Sequence, residues 1–246
     1  MIDELLLTTG SDIPFPEAGI TIHNPTIKEI GMIGEENFHP GLQFLNFSKD
    51  SLDVQGKKDL VGQKDFDIFM SIMLSKEKAQ FKISTKMVLS LLFPEYKIKF
   101  TTNGIELSQD NGFQTSINRH NYDTFKSLLI SMFELDGGGG SAKYAPQDGL
   151  AAKIAEKFKK RDALKAQKAG AENHKVSVFS RYMSILAVGE HKDLNSFNSY
   201  TVYQLNDEFK RFQMKTSYDI YVQAKMAGAR DLEEVDNWMN DIHDHS

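Results

Sequence analysis

Few residues in this chain are of a type and spacing that could do chemistry. His243 and His245, with Asp241 and Asp244, could gather a divalent cation, but they stand where frayed backbone is expected and adventitious or no binding is the stronger reading. Gly137 to Lys143 has the glycines of a phosphate-cradling loop without its ending, because Lys143 follows Ala142 and precedes Tyr144 instead of a serine or threonine. His23 and His39 sit near Pro25 and Pro40, in expected turns with no partner identifiable from sequence. Ser180, Ser184 and the scattered acids show no nucleophile elbow, no paired carboxylates and no cofactor fingerprint. With no cysteine, disulfides, thiolate zinc sites and cysteine nucleophiles are excluded. No catalytic residue, cofactor or metal is expected, so function must lie in surfaces.

The chain divides at Gly137-Gly138-Gly139-Gly140-Ser141. Consecutive glycines lose more backbone entropy on ordering than other residues, so this run reads as a linker or junction. The charge changes across it. Residues 1–136 carry about 19 acidic against 13 basic side chains, and 143–175 about 4 against 9. The expected organisation is an α+β domain over 1–136, a Gly-rich linker over 137–149 and an all-α helical extension over 150–246. The start, Met1-Ile2-Asp3-Glu4-Leu5-Leu6-Leu7, has acids where a secretory signal needs basic residues, and no apolar run approaches the ~20 residues of a membrane span. A soluble, cytoplasmic protein is expected.

In the first part, Ile20-Thr21-Ile22 alternates like a strand, and a helix starts near residue 25. Either Asn24 caps it with Pro25 in the first turn, or Thr26 and Glu29 form a capping box. Ile27, Ile30 and Ile33 follow at helical spacing with Glu35 and Glu36 outward, and Gly31 and Gly34 predict close packing or an early end. Phe38, Leu42, Leu45 and Phe47 form another apolar segment, and 49–63 is a polar excursion. Two helices then present Phe66, Phe69, Met70, Met73 and Leu74, and Met87, Val88, Leu91 and Leu92, before Pro94. The methionines read as core rather than as an adaptable binding surface. From Glu95 the period becomes two, and Asn103-Gly104 and Asn111-Gly112 predict a three-stranded β-meander. Tyr122, Phe125, Leu128, Leu129 and Met132 or Phe133 face inward from a helix over 121–135 that closes this part.

Beyond the glycines, Leu150, Ile154 and Phe158 recur at i, i+4 and i+8 among Lys153, Lys157, Lys159, Lys160 and Arg161. This narrow stripe on a basic helix suits partner binding. A helix over 178–188, a break at 194–199 and a long helix over 201–227 ending at Gly228 follow, with a last helix around 232–242 containing Trp238. The long helix carries Val202, Leu205, Phe209 and Phe212, then Tyr218, Tyr221, Val222 and Met226. We take Leu150, Ile154, Phe158, Val202, Leu205, Phe209, Phe212 and Trp238 as candidate partner-binding residues. The stripe from Val202 reads equally well as the core of a helical bundle.

Ile20-Thr21-Ile22-His23-Asn24-Pro25-Thr26-Ile27-Lys28-Glu29-Ile30, the α+β unit, the glycine junction and the helical extension with Gly228-Ala229 and Trp238 together resemble tail assembly chaperones of long-tailed bacteriophages. The resemblance covers most of the chain. It implies a long form made by programmed ribosomal frameshifting near Gly137 to Lys143. It also implies that the protein binds the tape measure protein, keeps its helices soluble, helps recruit tail tube subunits, associates in multiple copies, works in the host cytoplasm and is absent from the mature virion. Two other readings are a structural tail or head-completion protein and a nucleic-acid-associated regulator acting through 153–168. The second is disfavoured because that stretch has one arginine and one aromatic.

Overall fold

In the computed structural model the described residues are 2–48, 63–76, 79–135, 177–229 and 234–239. They form an α+β body with a three-stranded antiparallel sheet, followed by an all-helical C-terminal region. A short helix α1 (Glu4–Thr8), capped by Asp3, leads into a hairpin of β1 (Ile13–Phe15) and β2 (Ile20–Ile22) that pairs Ile13 with Ile22. Pro16–Ala18 form a 3-10 turn between the two strands. Ile13, Phe15, Ile20 and Ile22 all point into the core, as alternation on a half-buried hairpin requires.

Helix α2 (Ile27–Ile33) starts on Thr26, not Asn24. The Thr26 side chain accepts from the Glu29 amide, and the Glu29 carboxylate accepts from the Thr26 amide at 2.8 Å. This is the capping box. Gly34, at φ +81°, ends α2 and turns the chain directly into α3 (Glu35–Leu45). α3 buries Phe38, Leu42 and Leu45 and crosses α5 (Gln80–Leu92) closely, because Gly41 leaves no side chain between them. A Cβ there would lie 2.5 Å from the Ser84 carbonyl oxygen.

Helix α4 (Asp65–Leu74) buries Phe66, Ile68, Phe69, Met70 and Met73, while Leu74 is exposed rather than inward. In α5 the buried apolar residues are Val88, Leu89 and Leu92, and Met87 faces solvent, so the inward stripe is turned one position from the expected one. The meander β3 (Lys97–Thr101), β4 (Gly104–Ser108) and β5 (Gln114–Ile117) is antiparallel throughout. Its first turn is Thr102-Asn103, with Gly104 already paired to Thr101, so Gly104 serves as a strand residue beside the Ile117 backbone. Asn111-Gly112 lies within a longer loop, with Gly112 at φ +92°. Helix α6 (Tyr122–Phe133) buries both Met132 and Phe133. The Tyr122 hydroxyl donates to the Leu45 carbonyl at 3.0 Å. Burial, with Asp65 and Asp123 nearby, pushes the phenol far above its usual range.

The C-terminal region consists of α7 (Val178–Glu190), a 3-10 segment (Leu194–Ser199) and α8 (Val202–Met226). Phe179, Leu186, Phe197, Val202, Tyr203 and Leu205 join the same buried cluster as the α+β body. The helix expected around 232–242 is not formed where it is described: 234–239 are irregular backbone ending in a turn. The Asn237 side chain accepts from the Met239 amide at 3.0 Å, a local bond that competes with the helical one. The linker, Leu150, Ile154, Phe158, the 153–168 stretch, the polar excursion up to 62, and His243, His245, Asp241 and Asp244 lie outside the described residues. Among the described residues, no helix is long and apolar enough to cross a membrane.

Candidate functional site

The candidate site is a set of surfaces where the C-terminal helices meet the α+β body and where apolar side chains reach solvent. At the first junction, the turn at Gly34 places Glu35 against the N-terminus of α7. Glu35 accepts from the Ser177 hydroxyl and from the amides of Val178 (3.0 Å) and Phe179 (3.2 Å). A helix N-terminus offers unpaired N–H groups and the positive end of its dipole, so a carboxylate fits there. Glu35, expected on an outer face, therefore caps a distant helix. His39 lies one turn further on, its Nε2 3.6 Å from Glu35 and its ring 5.4 Å from the Phe179 ring. It is in the middle of α3 with partners, not in an isolated turn. These residues border a cleft of about 650 Å³ that also touches Gly31, Gln43 and Met183.

The second junction joins two capping boxes. Thr26 pairs with Thr201 in an isolated antiparallel bridge, and the Ile27 amide donates to the Tyr200 carbonyl at 2.7 Å. Thr201 and Gln204 repeat the Thr26–Glu29 arrangement at the start of α8, and Gln204 also donates to the Thr8 carbonyl at 2.8 Å. His23, without a partner identifiable from sequence, stands between Asp12 (Nδ1 to Oδ1, 2.9 Å) and Glu29 (Nε2 to both carboxylate oxygens, 3.3 Å). Burial pushes the Glu29 carboxyl up, but hydrogen bonds from Thr26 and His23 and the charge of His23 outweigh it, and the net shift is downward. Asp12 also accepts from the Asn24 amide at 3.0 Å and Glu29 from the Thr26 amide at 2.8 Å, so the group holds backbone in place.

Of the candidate residues on α8, Val202 (4% exposed) and Leu205 (0%) lie inside the core and present nothing to a partner. For these two the bundle-core reading is the physical one. Phe209 is half-buried and stacks on Tyr182, with ring centroids 3.9 Å apart and planes 9° from parallel. Phe212 packs over Gly189. Trp238 is half-buried and shares with Phe212 a cleft of about 500 Å³ rimmed by charged side chains, and its carbonyl accepts from Arg211 Nη1 at 3.3 Å. The structure thus brings Phe212 and Trp238 together but keeps Val202 and Leu205 apart from solvent. Ile220 (62% exposed) and Met226, further along α8, face outward.

Sequence reasoning missed an exposed apolar part of the surface. Ile83 (49% exposed) and Met87 (39%) on α5 reach solvent in a cleft they share with partly buried Ile33 and Leu91, and Met32 on α2 is 74% exposed. Read as a helix, α5 has too many apolar residues for one face, and that surplus was the available signal. Contiguous exposed apolar surface marks interaction sites more often than scattered residues do, and methionine adapts to varied partners.

Among the described residues no group of three or more His, Asp or Glu side chains is placed to hold a metal ion. Residues 172–243, which include α7 and α8, match the family model described as the YomV second domain. That family is phage-derived, so the similarity supports a phage protein. No curated protein and no solved structure matches the chain.

Proposed function

We propose that this chain is a tail assembly chaperone of a long-tailed bacteriophage, the long form carrying the C-terminal extension. In this reading it binds the tape measure protein in the host cytoplasm, shields that protein's apolar helices, helps bring in tail tube subunits, and leaves before the particle is complete. The observation that carries the reading is the exposed apolar row of Ile83 and Met87 on α5, with Met32 exposed on α2. It leaves apolar side chains open on a body whose other large hydrophobic residues are mostly closed in a single core. A holding protein needs such a surface, because the client's exposed apolar area must be covered without catalysis. The match over the C-terminal helices supports a phage setting for this reading, and the resemblance of the residues from Ile20 to Ile30 supports the chaperone role. Quantitative mass spectrometry of infected-cell lysate and of purified particles tests this. The chaperone should be abundant in lysate complexes and missing from particles, whereas stoichiometric retention in particles would make it a structural component.

A further inference from the structure

Helix α5 has two apolar faces, and only one is used internally. Val88, Leu89 and Leu92 enter the core, while Ile83, Met87 and Leu91 follow one another at i, i+4 and i+8 on the other side. With Ile33 of α2 this second row lines a cleft of about 390 Å³. An adjoining cleft of about 490 Å³ shares Lys86 and Ser90 with it and adds Phe100 and Lys99 of β3.

Among the described residues, lysines are the only charged side chains that line these two clefts. Lys86 Nζ lies 5.8 Å from the centroid of the Phe100 ring, and no described carboxylate pairs with it. Lys99 stands opposite Glu106 in the β3–β4 register with no ion pair to a described residue, and no carboxylate lines either cleft. Lys82, on the same helix, is turned away and donates to the Ser75 carbonyl at 2.8 Å. α5 has 13 residues, so the face is about 20 Å long and can run beside about four turns of another helix. A row at spacing of four is the ridge that a second helix packs against.

We propose that this face seats an amphipathic helix of a partner protein whose apolar stripe is flanked by aspartate and glutamate. Ile83, Met87 and Leu91 cover the stripe, and Lys86 and Lys99 meet the acids. A second copy of this chain is the poorer occupant, because a two-fold contact through this face would oppose Lys86 to Lys86 across clefts that no carboxylate lines. As the seat of the client helix, the assignment rests on the chaperone reading. Its physical content is independent of that reading.

The test uses the full chain and two labelled synthetic peptides of roughly 20 residues, long enough to hold helical structure. Both carry leucine at helical spacing, one with glutamate flanks and one with lysine flanks. Fluorescence anisotropy should show the glutamate peptide binding at least about tenfold more tightly, with the preference shrinking as salt rises. Met87→Glu should weaken that peptide about tenfold or more, and Lys86→Glu should shift preference toward the lysine peptide. Both positions are solvent-facing, and thermal melts check that the variants keep the fold. Equal binding of the two peptides, no binding by the wild-type chain, or indifference to both substitutions overturns the proposal. So does a dimer that Met87→Glu abolishes while neither peptide binds, or a monomer that ignores the peptides and cross-links Lys86 to the lysines of 143–175. Co-expression with the tape measure protein separates the two claims. A client that precipitates with the wild-type chain counts against the chaperone reading alone, and a client held equally well by wild type and Met87→Glu removes the groove as its seat.

Discussion

Replacing Glu35 should loosen α7 without loosening the body it sits on. The carboxylate receives two α7 amides and the hydroxyl of Ser177, which is itself the cap of that helix through its bond from Ser180 at 2.9 Å. A capping side chain at a helix start contributes about 1 kcal/mol, and a carboxylate in a partly buried site adds up to about 1 more through the helix dipole. The bond to Val178 is exposed, so water replaces it in the variant, which holds the loss for Glu35→Ala to about 1–2 kcal/mol. That corresponds to roughly a five- to thirtyfold rise in local opening. Glu35→Gln, which keeps an acceptor but not the charge, should lose about half as much. Hydrogen exchange read by mass spectrometry on peptides covering 178–190 and 80–92 gives the comparison. Protection should fall in the first peptide and hold in the second. Unchanged protection in 178–190, or an equal loss in both, would refute the idea that Glu35 is a local clasp for α7.

Gly41→Ala should lower stability by about 1–3 kcal/mol, read as a drop in the denaturant midpoint at constant m, because its Cβ would meet the Ser84 backbone at 2.5 Å. Leu205→Ala should cost about 2–5 kcal/mol, while Ile220→Ala should stay within about 0.5, which separates core from surface along one helix in a set of thermal melts. Glu29 has a folded pKa below its usual value, so its contribution is present above about pH 4.3 and is lost as pH falls through the lower folded value. Urea titrations should therefore show wild type more stable than Glu29→Gln at pH 6, with the gap closing below about pH 4. A gap that does not change with pH would remove the charge from the account.

How much of this was legible in sequence depended on the range of the interactions. The Thr26–Glu29 box, the β2 alternation, the meander and the ends of α6 and α8 are written in residues a few positions apart, and the structure keeps them. Local chemistry also misled. Asn237 makes a local bond where the apolar pattern around Trp238 predicted a helix, and Asn103-Gly104 is displaced one position, with Gly104 a strand residue beside the Ile117 backbone. α1 and β1 were not anticipated, since five- and three-residue elements carry too few residues to show a period. Glu35 against Ser177 and His23 between Asp12 and Glu29 are meetings made by the fold. Nothing at Glu35 itself distinguishes it from a solvated acid. The candidate stripe on α8 divided for the same reason: its first turns found a core to enter, and its distal residues did not.

The most direct measurement of the central claim is co-expression of the full chain with the tape measure protein encoded nearby, followed by size-exclusion chromatography with mass determination. A soluble complex with several copies of this chain per client, absent when the client is expressed alone, is the predicted result. A client that aggregates equally with and without the chain, while the chain itself elutes well folded, would contradict it.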